Sequence, residues 1–299
     1  QTCEMLISRG VVARAACHAA LLQLATVSSP VGRATFAAPA FAAPDTYSEL
    51  RGRLQAPIVA QQGDAAPPPG RREPLLPAWL AGRWRCEQTL SAYSNPLGVQ
   101  YIGFPGRPIS EAEASAAQTR SQIGKPVELE LRFRAEAGGA IEDRPFNAQS
   151  RFDAFAGRKV VREAQTCTDA SVDSPGIACT FVSFTGPISQ KQIVNSMRVA
   201  SPPDGADTSS DSFIASDFMR QIFARRMVAG DTRNFPPIIT DSEVLLSLAP
   251  GPSSNAPEVA NGRLRLVEYL QPNDPLYFAA GRKSVSISDY LVKLTRLPD

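Results

Sequence analysis

The most regular feature of the chain is a strict alternation of apolar and charged side chains over residues 127–134. Odd-numbered positions carry Val, Leu, Leu and Phe, whereas even-numbered positions carry Glu or Arg. Because successive side chains of a strand point to opposite faces, this pattern predicts a strand with one buried and one solvated face. Residues 80–90 show the same period, with Trp84 and Cys86 sharing one face. We therefore predict two half-buried strands.

Seven further segments are candidate strands, because they are short, rich in apolar residues and bounded by Gly, Pro, Asn and Asp clusters. They are residues 159–167, 177–184, 192–200, 242–248, 262–270, 276–279 and 285–297. Nine short strands with turn signals between them are typical of a mainly β protein, built as an antiparallel barrel or sandwich. We expect a single antiparallel, calycin-like β-barrel with a few decorating helices.

Three helices are predicted between these strands. Ser110 and Glu113 form a capping-box pattern, so one helix should begin there and run to about Ile123, just before Gly124. Residues 149–156 predict a short helix that ends at Gly157. Residues 211–228 predict a longer helix, because their apolar residues recur at spacings of three and four. The Phe and Ile residues of this last segment would also suit a strand.

The first 44 residues have the composition of a targeting segment. They hold three Arg and one acidic residue, and a mildly apolar run at residues 10–27 precedes the small-residue pattern Ala40-x-Ala42. This combination predicts import into a plastid followed by transfer to the thylakoid lumen. A membrane anchor is the alternative, but Arg14 and His18 interrupt a run that falls short of the roughly 18 apolar residues that a span needs. No later segment is long and apolar enough to span a bilayer.

Residues 45–76 are predicted to link this segment to one folded domain, residues 77–299. The run Pro67-Pro68-Pro69 supplies no backbone donors, so the stretch around it should be extended and solvated. Residues 45–299 carry 28 basic and 28 acidic side chains and are formally neutral. This neutrality argues against a general nucleic-acid binder, which needs a basic face to neutralise phosphates.

Candidate catalytic groups are scarce. The single histidine, His18, lies in the predicted targeting segment, so the remaining chain would lack histidine-based catalysis and the common histidine-containing metal sites. The sequence also has no glycine-rich nucleotide-binding motif and no nucleophile elbow. Asp241 and Glu243 are interpreted as turn or strand-end residues. We therefore expect no catalytic residue, no metal and no cofactor.

Three cysteines remain beyond residue 44. Cys167 and Cys179 flank a connection between two predicted strands, and they could form a disulfide that stabilises the domain by about 2–3 kcal/mol. Two unpaired buried thiols are the alternative. Without a C-x-x-C pair, a zinc or dithiol site is not indicated. Cys86 shares its strand face with Trp84 and is expected to be a buried, inert thiol.

The segment Gly82-Arg83-Trp84 resembles the start of a calycin-type barrel, because lipocalins and their relatives enter the first strand with Gly-x-Trp. In those families a Trp near the closed end packs against an Arg late in the chain. In the last predicted strand Lys293 should face water, so Tyr290 and Arg296 should face inward. The resemblance therefore implies that Arg296 lies over Trp84, a cation–π contact worth about 0.5–2 kcal/mol.

A broader similarity is carried by the segments LPAWLAGRWRC (76–86), NPLGV (95–99), IGKPV (123–127), EDRPFN (142–147), TDSE (240–243) and YLQPNDPLY (269–277). These segments resemble an uncharacterised family found in cyanobacteria and in the plastids of algae and plants. Its plant members are usually assigned to the thylakoid lumen. The similarity spans roughly residues 76–297 and implies a location and a single domain, but no activity.

Together these patterns predict a non-catalytic β-barrel protein of the thylakoid lumen that binds a photosynthetic membrane-complex protein or a small apolar ligand. The ligand contacts are expected at Trp84, Phe133, Tyr290 and Arg296, and Phe181 is also placed on the inward face. A barrel interior can be packed with side chains or can hold one small ligand, and the pattern leaves both open. A histidine-free enzyme that uses Asp241, Glu243 or a buried Arg inside the barrel, and a pure scaffold, are the alternatives.

Overall fold

The computed structural model describes residues 46–61, 73–102, 107–167, 178–185, 188–202, 213–225, 237–251 and 257–298. The predicted targeting segment and the Pro67–Pro69 run lie outside the described residues, as does the connection between Cys167 and Ala178.

Within these residues, ten antiparallel strands form one sheet in the order β3-β2-β1-β10-β9-β8-β7-β6-β5-β4. Most neighbours in the sheet are therefore also neighbours along the chain, and the first and last long strands, β1 and β10, pair side by side. The strands are β1 (Gly82–Ser94), β2 (Pro126–Glu136), β3 (Gly139–Glu142), β4 (Val161–Thr166), β5 (Ala178–Phe184), β6 (Ile188–Ala200), β7 (Phe213–Arg225), β8 (Ile238–Pro250), β9 (Val259–Tyr269) and β10 (Ser286–Arg296).

Four α-helices accompany the sheet in the described ranges. They are α1 (Thr46–Gln55), α2 (Ile109–Arg120), α3 (Arg144–Ala156) and α4 (Tyr277–Ala280). The predicted short helix at residues 149–156 is confirmed as the second half of α3. This helix ends as expected at Gly157, whose φ of 63° is readily accessible to glycine.

The sheet curls into a half-barrel and is not closed. Among the described residues, no backbone pairing joins the end strands β3 and β4. Helix α3 lies in this gap and contacts β2 on one side and β4 and β5 on the other. The prediction of a mainly β antiparallel fold is thus confirmed, whereas the prediction of a closed barrel is wrong, because a helix occupies the place where the two end strands would pair.

Asn147 shows how α3 satisfies the free edge of β2. The backbone N–H of Arg132 donates to Asn147 Oδ1 (2.7 Å), and Asn147 Nδ2 donates back to the Arg132 carbonyl (3.1 Å). One turn further along, Ser150 Oγ accepts from the Glu130 N–H (3.0 Å). These side chains give the strand edge the partners that another strand would supply.

The two faces of the sheet have different partners. The concave face holds the largest apolar cluster, whose buried members include Trp84, Leu131 and Tyr290. On the convex face, Leu50 and Val59 pack with the buried residues Ile214, Leu245, Val267, Tyr269 and Ile287. Residues 46–61, which were predicted to be linker, therefore fold onto the sheet, because α1 and the segment after it cover this second apolar patch.

Residues 211–228 were predicted to be helical, and this prediction is wrong: the segment contains strand β7. Residues 213–217 are all buried, because the cavity side of β7 faces the interior and its other side lies under α1. Burial on both faces removes the alternation that identifies a strand. Pairing with β6 and β8 along nearly its whole length then decides the conformation.

Three smaller predictions also fail. Residues 276–279 belong to the turn and helix around α4 and not to a strand. The capping box at Ser110 does not form, because α2 begins after Pro108 without a side-chain cap. Phe181 is opposite Gln192 in the register, so it lies on the convex face, and the inward position belongs to Thr180.

Candidate functional site

A cavity of about 250 Å³ lies between the concave face of the sheet and α3. Its walls are mostly aliphatic and aromatic side chains, held in place by the cross-strand register. These apolar residues include Leu131, Phe133, Ile193, Met197, Ala215, Met219, Val244, Leu246, Leu248, Leu264, Leu266, Val292 and Leu294. The interior of the half-barrel is therefore partly packed and partly hollow.

Helix α3 supplies the remaining wall with Ala148, Phe152 and Phe155, together with two arginines. Its N-terminus is fixed by Asp143, whose carboxylate accepts from the Phe146 N–H (3.4 Å). Its C-terminus is held by Asp153 Oδ1, which accepts from the N–H groups of Val160 (2.7 Å) and Val161 (2.9 Å). The helix is thus anchored at both ends over the cavity.

One polar group of the cavity is centred on Arg144. Its guanidinium donates to Asp217 Oδ2 (2.8 Å) and to Glu73 Oε1 (2.8 Å), and it lies 3.4 Å from Glu142. Burial opposes ionisation of Glu142, but the charges of Arg151 and Arg144 outweigh it and lower the pKa of this carboxyl to about 2. Burial raises the pKa of Asp217 and of Glu73, against the pull of Arg144.

Asp217 has one oxygen without a partner. Its Oδ2 accepts from Arg144 and from Asn195 Nδ2 (2.9 Å), whereas its buried Oδ1 has no hydrogen bond within the part of the chain that the structure describes. Asp217 and Asn195 both line the cavity. A hydrogen-bond donor on a bound molecule could satisfy this oxygen.

A second polar group is the amine of Lys191, on β6. Lys191 is only 4% exposed, and its Nζ lies 4.4 Å from the ring centroid of Phe152 and 4.3 Å from that of Phe223. None of the ion pairs and side-chain hydrogen bonds among the described residues involves this amine. Burial lowers the pKa of Lys191 to about 7. Lys191 therefore combines the interior position of a core residue with a titratable nitrogen.

The structure separates the four predicted ligand contacts into two pairs. Phe133 and Tyr290 line the cavity, whereas Trp84 and Arg296 lie outside its lining. The predicted contact between Trp84 and Arg296 is confirmed: the guanidinium carbon lies 4.3 Å from the ring centroid. Arg296 also donates to the carbonyls of Ala81 (2.7 Å) and Trp79 (2.6 Å), so this pair joins the start of β1 to the end of β10.

Cysteine chemistry is confined to two places in the described residues. Cys167 and Cys179 form a disulfide with their Cα atoms 5.3 Å apart, and it ties the end of β4 to the start of β5. Cys86 is a buried free thiol that lines the cavity. Burial raises the pKa of Cys86 to about 11, so the thiol stays protonated at neutral pH and is a poor nucleophile.

Asp241 and Glu243, the acids of the histidine-free enzyme alternative, lie on the convex face and not inside the barrel. Glu243 accepts from Tyr269 Oη (2.8 Å) and Ser216 Oγ (2.6 Å) and pairs with Arg53 of α1. Asp241 pairs with Arg220 (2.9 Å). This network holds α1 against the sheet and has no access to the cavity.

Sequence reasoning missed Lys191, Asp217 and the Arg144 group. Lys191 follows and precedes glutamine, so no alternation marks it as an inward residue. Asp217 was predicted to lie in a helix, so the sequence did not show that its side chain lies on the inward face of a strand. Arg144 directly follows the charged residues Glu142 and Asp143, and an arginine in such a charged run is usually interpreted as exposed.

Metal ligands are not clustered in the described ranges. No group of three or more His, Cys, Asp or Glu side chains is placed there to hold a metal ion. Of the helices that the structure describes, none has the length and hydropathy to cross a membrane.

Comparison with known families identifies one match. Residues 69–298 match DUF6816, a domain of unknown function, and the chain belongs to this family. The comparisons with curated proteins and with solved structures found no match.

Proposed function

We propose that this DUF6816 protein is a non-catalytic binder that holds a small, largely apolar ligand inside its half-barrel. The observation that carries the proposal is the cavity of about 250 Å³ between the sheet and α3. An apolar cavity of about 150 Å³ is already large enough to hold benzene. A ligand somewhat larger than a single aromatic ring would therefore fit.

The energetics of packing support this proposal. Protein interiors are normally packed as densely as organic crystals, with few voids larger than a water molecule. Unfilled apolar volume destabilises a fold by about 24 cal/mol per Å³, which for this cavity amounts to several kcal/mol. A bound ligand would restore those contacts, and the rigid strands on either side form the site in advance.

The thylakoid lumen is proposed as the site of action. Support comes from the composition of residues 1–44, with their three Arg, one acid and Ala40-x-Ala42 pattern. The disulfide between Cys167 and Cys179 also fits an oxidising compartment better than a reducing one. We place a ligand ahead of a photosynthetic protein partner because the cavity is a feature of the fold itself.

Titration with a neutral apolar probe, 4-ethylbenzyl alcohol, tests this function. Ala215 faces the cavity on β7, so A215F should fill it and weaken binding at least tenfold by calorimetry. Ala224 is exposed on the opposite face of the same strand, and A224F is the matched control that should bind as the wild type does. A148L fills the cavity from α3 and provides a second variant if A215F does not fold. Equal affinities for all folded variants, or no binding by the wild type, would exclude the proposal.

A further inference from the structure

We propose that Lys191 forms a covalent imine with an apolar aldehyde that enters the half-barrel cavity. This inference rests on the proposed function and specifies the reactive group of the ligand. Its ligand would have a hydrophobic body against the leucine-rich wall and an aldehyde carbon at Lys191.

Lys191 occupies an apolar corner of the cavity. The side chain lines the cavity, is almost fully buried, and ends between two phenyl rings, those of Phe152 on α3 and Phe223 on β7. Within the described residues it makes no ion pair, although Arg144 in the same cavity is surrounded by three carboxylates. The amine is therefore held where no described carboxylate keeps it charged.

The identity of the residue at this position also points to amine chemistry. The chain contains 26 arginines and five lysines, so arginine is its usual cation. Arginine stays charged under all physiological conditions and is the better partner for a carboxylate, whereas buried lysine can lose its proton. Position 191, between two aromatic rings inside the cavity, therefore carries the cation that can become neutral.

The protonation state agrees with this geometry. Burial lowers the pKa of Lys191 to about 7, so roughly half of the amine is neutral at neutral pH. An exposed lysine with a pKa near 10.4 is neutral at a level of about one molecule in several thousand under the same conditions. A neutral amine in an apolar pocket is the form that attacks a carbonyl carbon.

An aldehyde suits this pocket better than a carboxylate. A carboxylate would have to leave its water shell to pair with one buried ammonium group, and the desolvation of two ions costs several kcal/mol for each. A neutral amine and a neutral aldehyde bring no charge into the cavity. The two rings can also flank a flat imine without competing for its hydrogen bonds.

The reaction balances without an oxidant or reductant. The lone pair of Nζ attacks the aldehyde carbon, a C–N bond forms, and the carbonyl oxygen takes up a proton. The nitrogen gives up its two protons in turn through solvent: the first balances the proton taken up by the carbonyl oxygen, and the second converts the hydroxyl of the carbinolamine into water as its C–O bond breaks and the C=N bond forms. The product is a neutral imine, and the addition of water reverses each step.

Reductive trapping tests the proposal. The probe is 4-ethylbenzaldehyde, which carries the same skeleton as the neutral alcohol and has no conjugated alkene to react with Cys86. Full-length protein is incubated with the aldehyde and cyanoborohydride at pH 7, and peptide mapping locates the secondary amine. We expect at least tenfold more adduct on Lys191 than on Lys125, Lys159, Lys283 or Lys293, which are all exposed.

Three variants define the outcome. K191M replaces the lysine with an apolar side chain of similar length and should lose the adduct, and K191R should lose it as well. K293R changes an exposed lysine on β10 and should react as the wild type does. Adduct spread evenly over the exposed lysines, or equal total adduct in K191M, would overturn the imine. The imine would also be overturned if the protein formed no aldehyde adduct but bound 4-ethylbenzoate more tightly than 4-ethylbenzyl alcohol, and if this difference required Lys191. That result would identify an anion site.

The neutral alcohol separates this inference from the proposed function. If 4-ethylbenzyl alcohol binds the wild type and K191M equally while the aldehyde gives no adduct, the apolar site stands and the imine is wrong. If the alcohol does not bind at all, the proposed function itself fails.

Discussion

At the scale of single residues, the most unusual feature of this protein is a lysine amine that the fold places between two phenyl rings. Cation–π contacts with Phe152 and Phe223 stabilise the charged form, each by about 2 kcal/mol or somewhat more for a desolvated cation. Loss of hydration outweighs these contacts, and the pKa of Lys191 falls to about 7. The charged amine therefore destabilises the folded state.

The lowered pKa of Lys191 predicts how stability changes with pH. Between pH 7 and the unfolded pKa of about 10.4, the unfolded chain binds a proton at Lys191 that the folded chain does not, so stability should rise with pH. The limiting slope is about 1.4 kcal/mol per pH unit, or of order 2–3 kcal/mol from pH 7 to pH 9. K191M should lack this rise. Urea unfolding of both proteins at several pH values measures it, and parallel stability curves would show that Lys191 keeps its normal pKa.

The residue scale also shows what the sequence could reveal about the site. The contact between Trp84 and Arg296 was predictable because the alternation in the last strand placed Arg296 on the inward face and the family resemblance paired it with Trp84. Phe133 and Tyr290 followed from alternation alone. Lys191 and Asp217 were not predictable, because a polar residue at an inward position is identified only after the register of its strand is known.

At the scale of elements, α3 explains why the sheet can stop before it closes. An open strand edge exposes unpaired N–H and C=O groups and invites pairing with other chains. Along β2 these backbone groups form hydrogen bonds with the side chains of Asn147 and Ser150. At the far side α3 packs against β4 and β5, where Phe152 meets Phe184 edge to face at 5.2 Å.

Asn147 offers a direct test of this edge. N147A removes both hydrogen bonds to Arg132 and one to Glu142, and it leaves strand-edge groups without partners in a buried place. We expect a loss of about 2–4 kcal/mol in unfolding free energy and faster hydrogen exchange at the Arg132 amide. Q149A, on the same helix, should change stability by less than about 0.5 kcal/mol. An unchanged Arg132 exchange rate in N147A would mean that α3 does not protect the edge.

Alternation made the strands with one wet face the easiest to predict, although residues 242–248 were also predicted correctly where α1 covers the outer face of β8. The alternation over residues 127–134 identified β2, and the same period over residues 80–90 identified β1. Strand β10 was predicted from its apolar content and the turn residues that flank it. β7 was mistaken for a helix because α1 buries its outer side as well. The short β3 was missed because four residues carry too little pattern, and its identity as a strand depends on pairing with β2.

At the scale of the whole molecule, the protein is a half-barrel with cover on both faces. Helix α1 is fixed to the convex face by apolar contacts and by the Arg53–Glu243 pair, and α3 covers the open side of the concave face. The sequence correctly predicted an antiparallel β domain but wrongly predicted a closed barrel. Local periodicity does not show whether the end strands of a sheet pair with each other or pack against a helix. The cavity is a product of this arrangement and could not be predicted from single strands.

Methyl NMR with the neutral probe 4-ethylbenzyl alcohol tests the central claim, that the concave face is a ligand site, most directly. Leu246 on β8 and Leu264 on β9 lie on the concave face, whereas Leu245 on β8 and Val267 on β9 lie on the convex face. We predict that saturating probe shifts the methyl signals of Leu246 and Leu264 and leaves those of Leu245 and Val267 in place. Shifts confined to Leu245 and Val267, or no shifts at saturation, would contradict the claim.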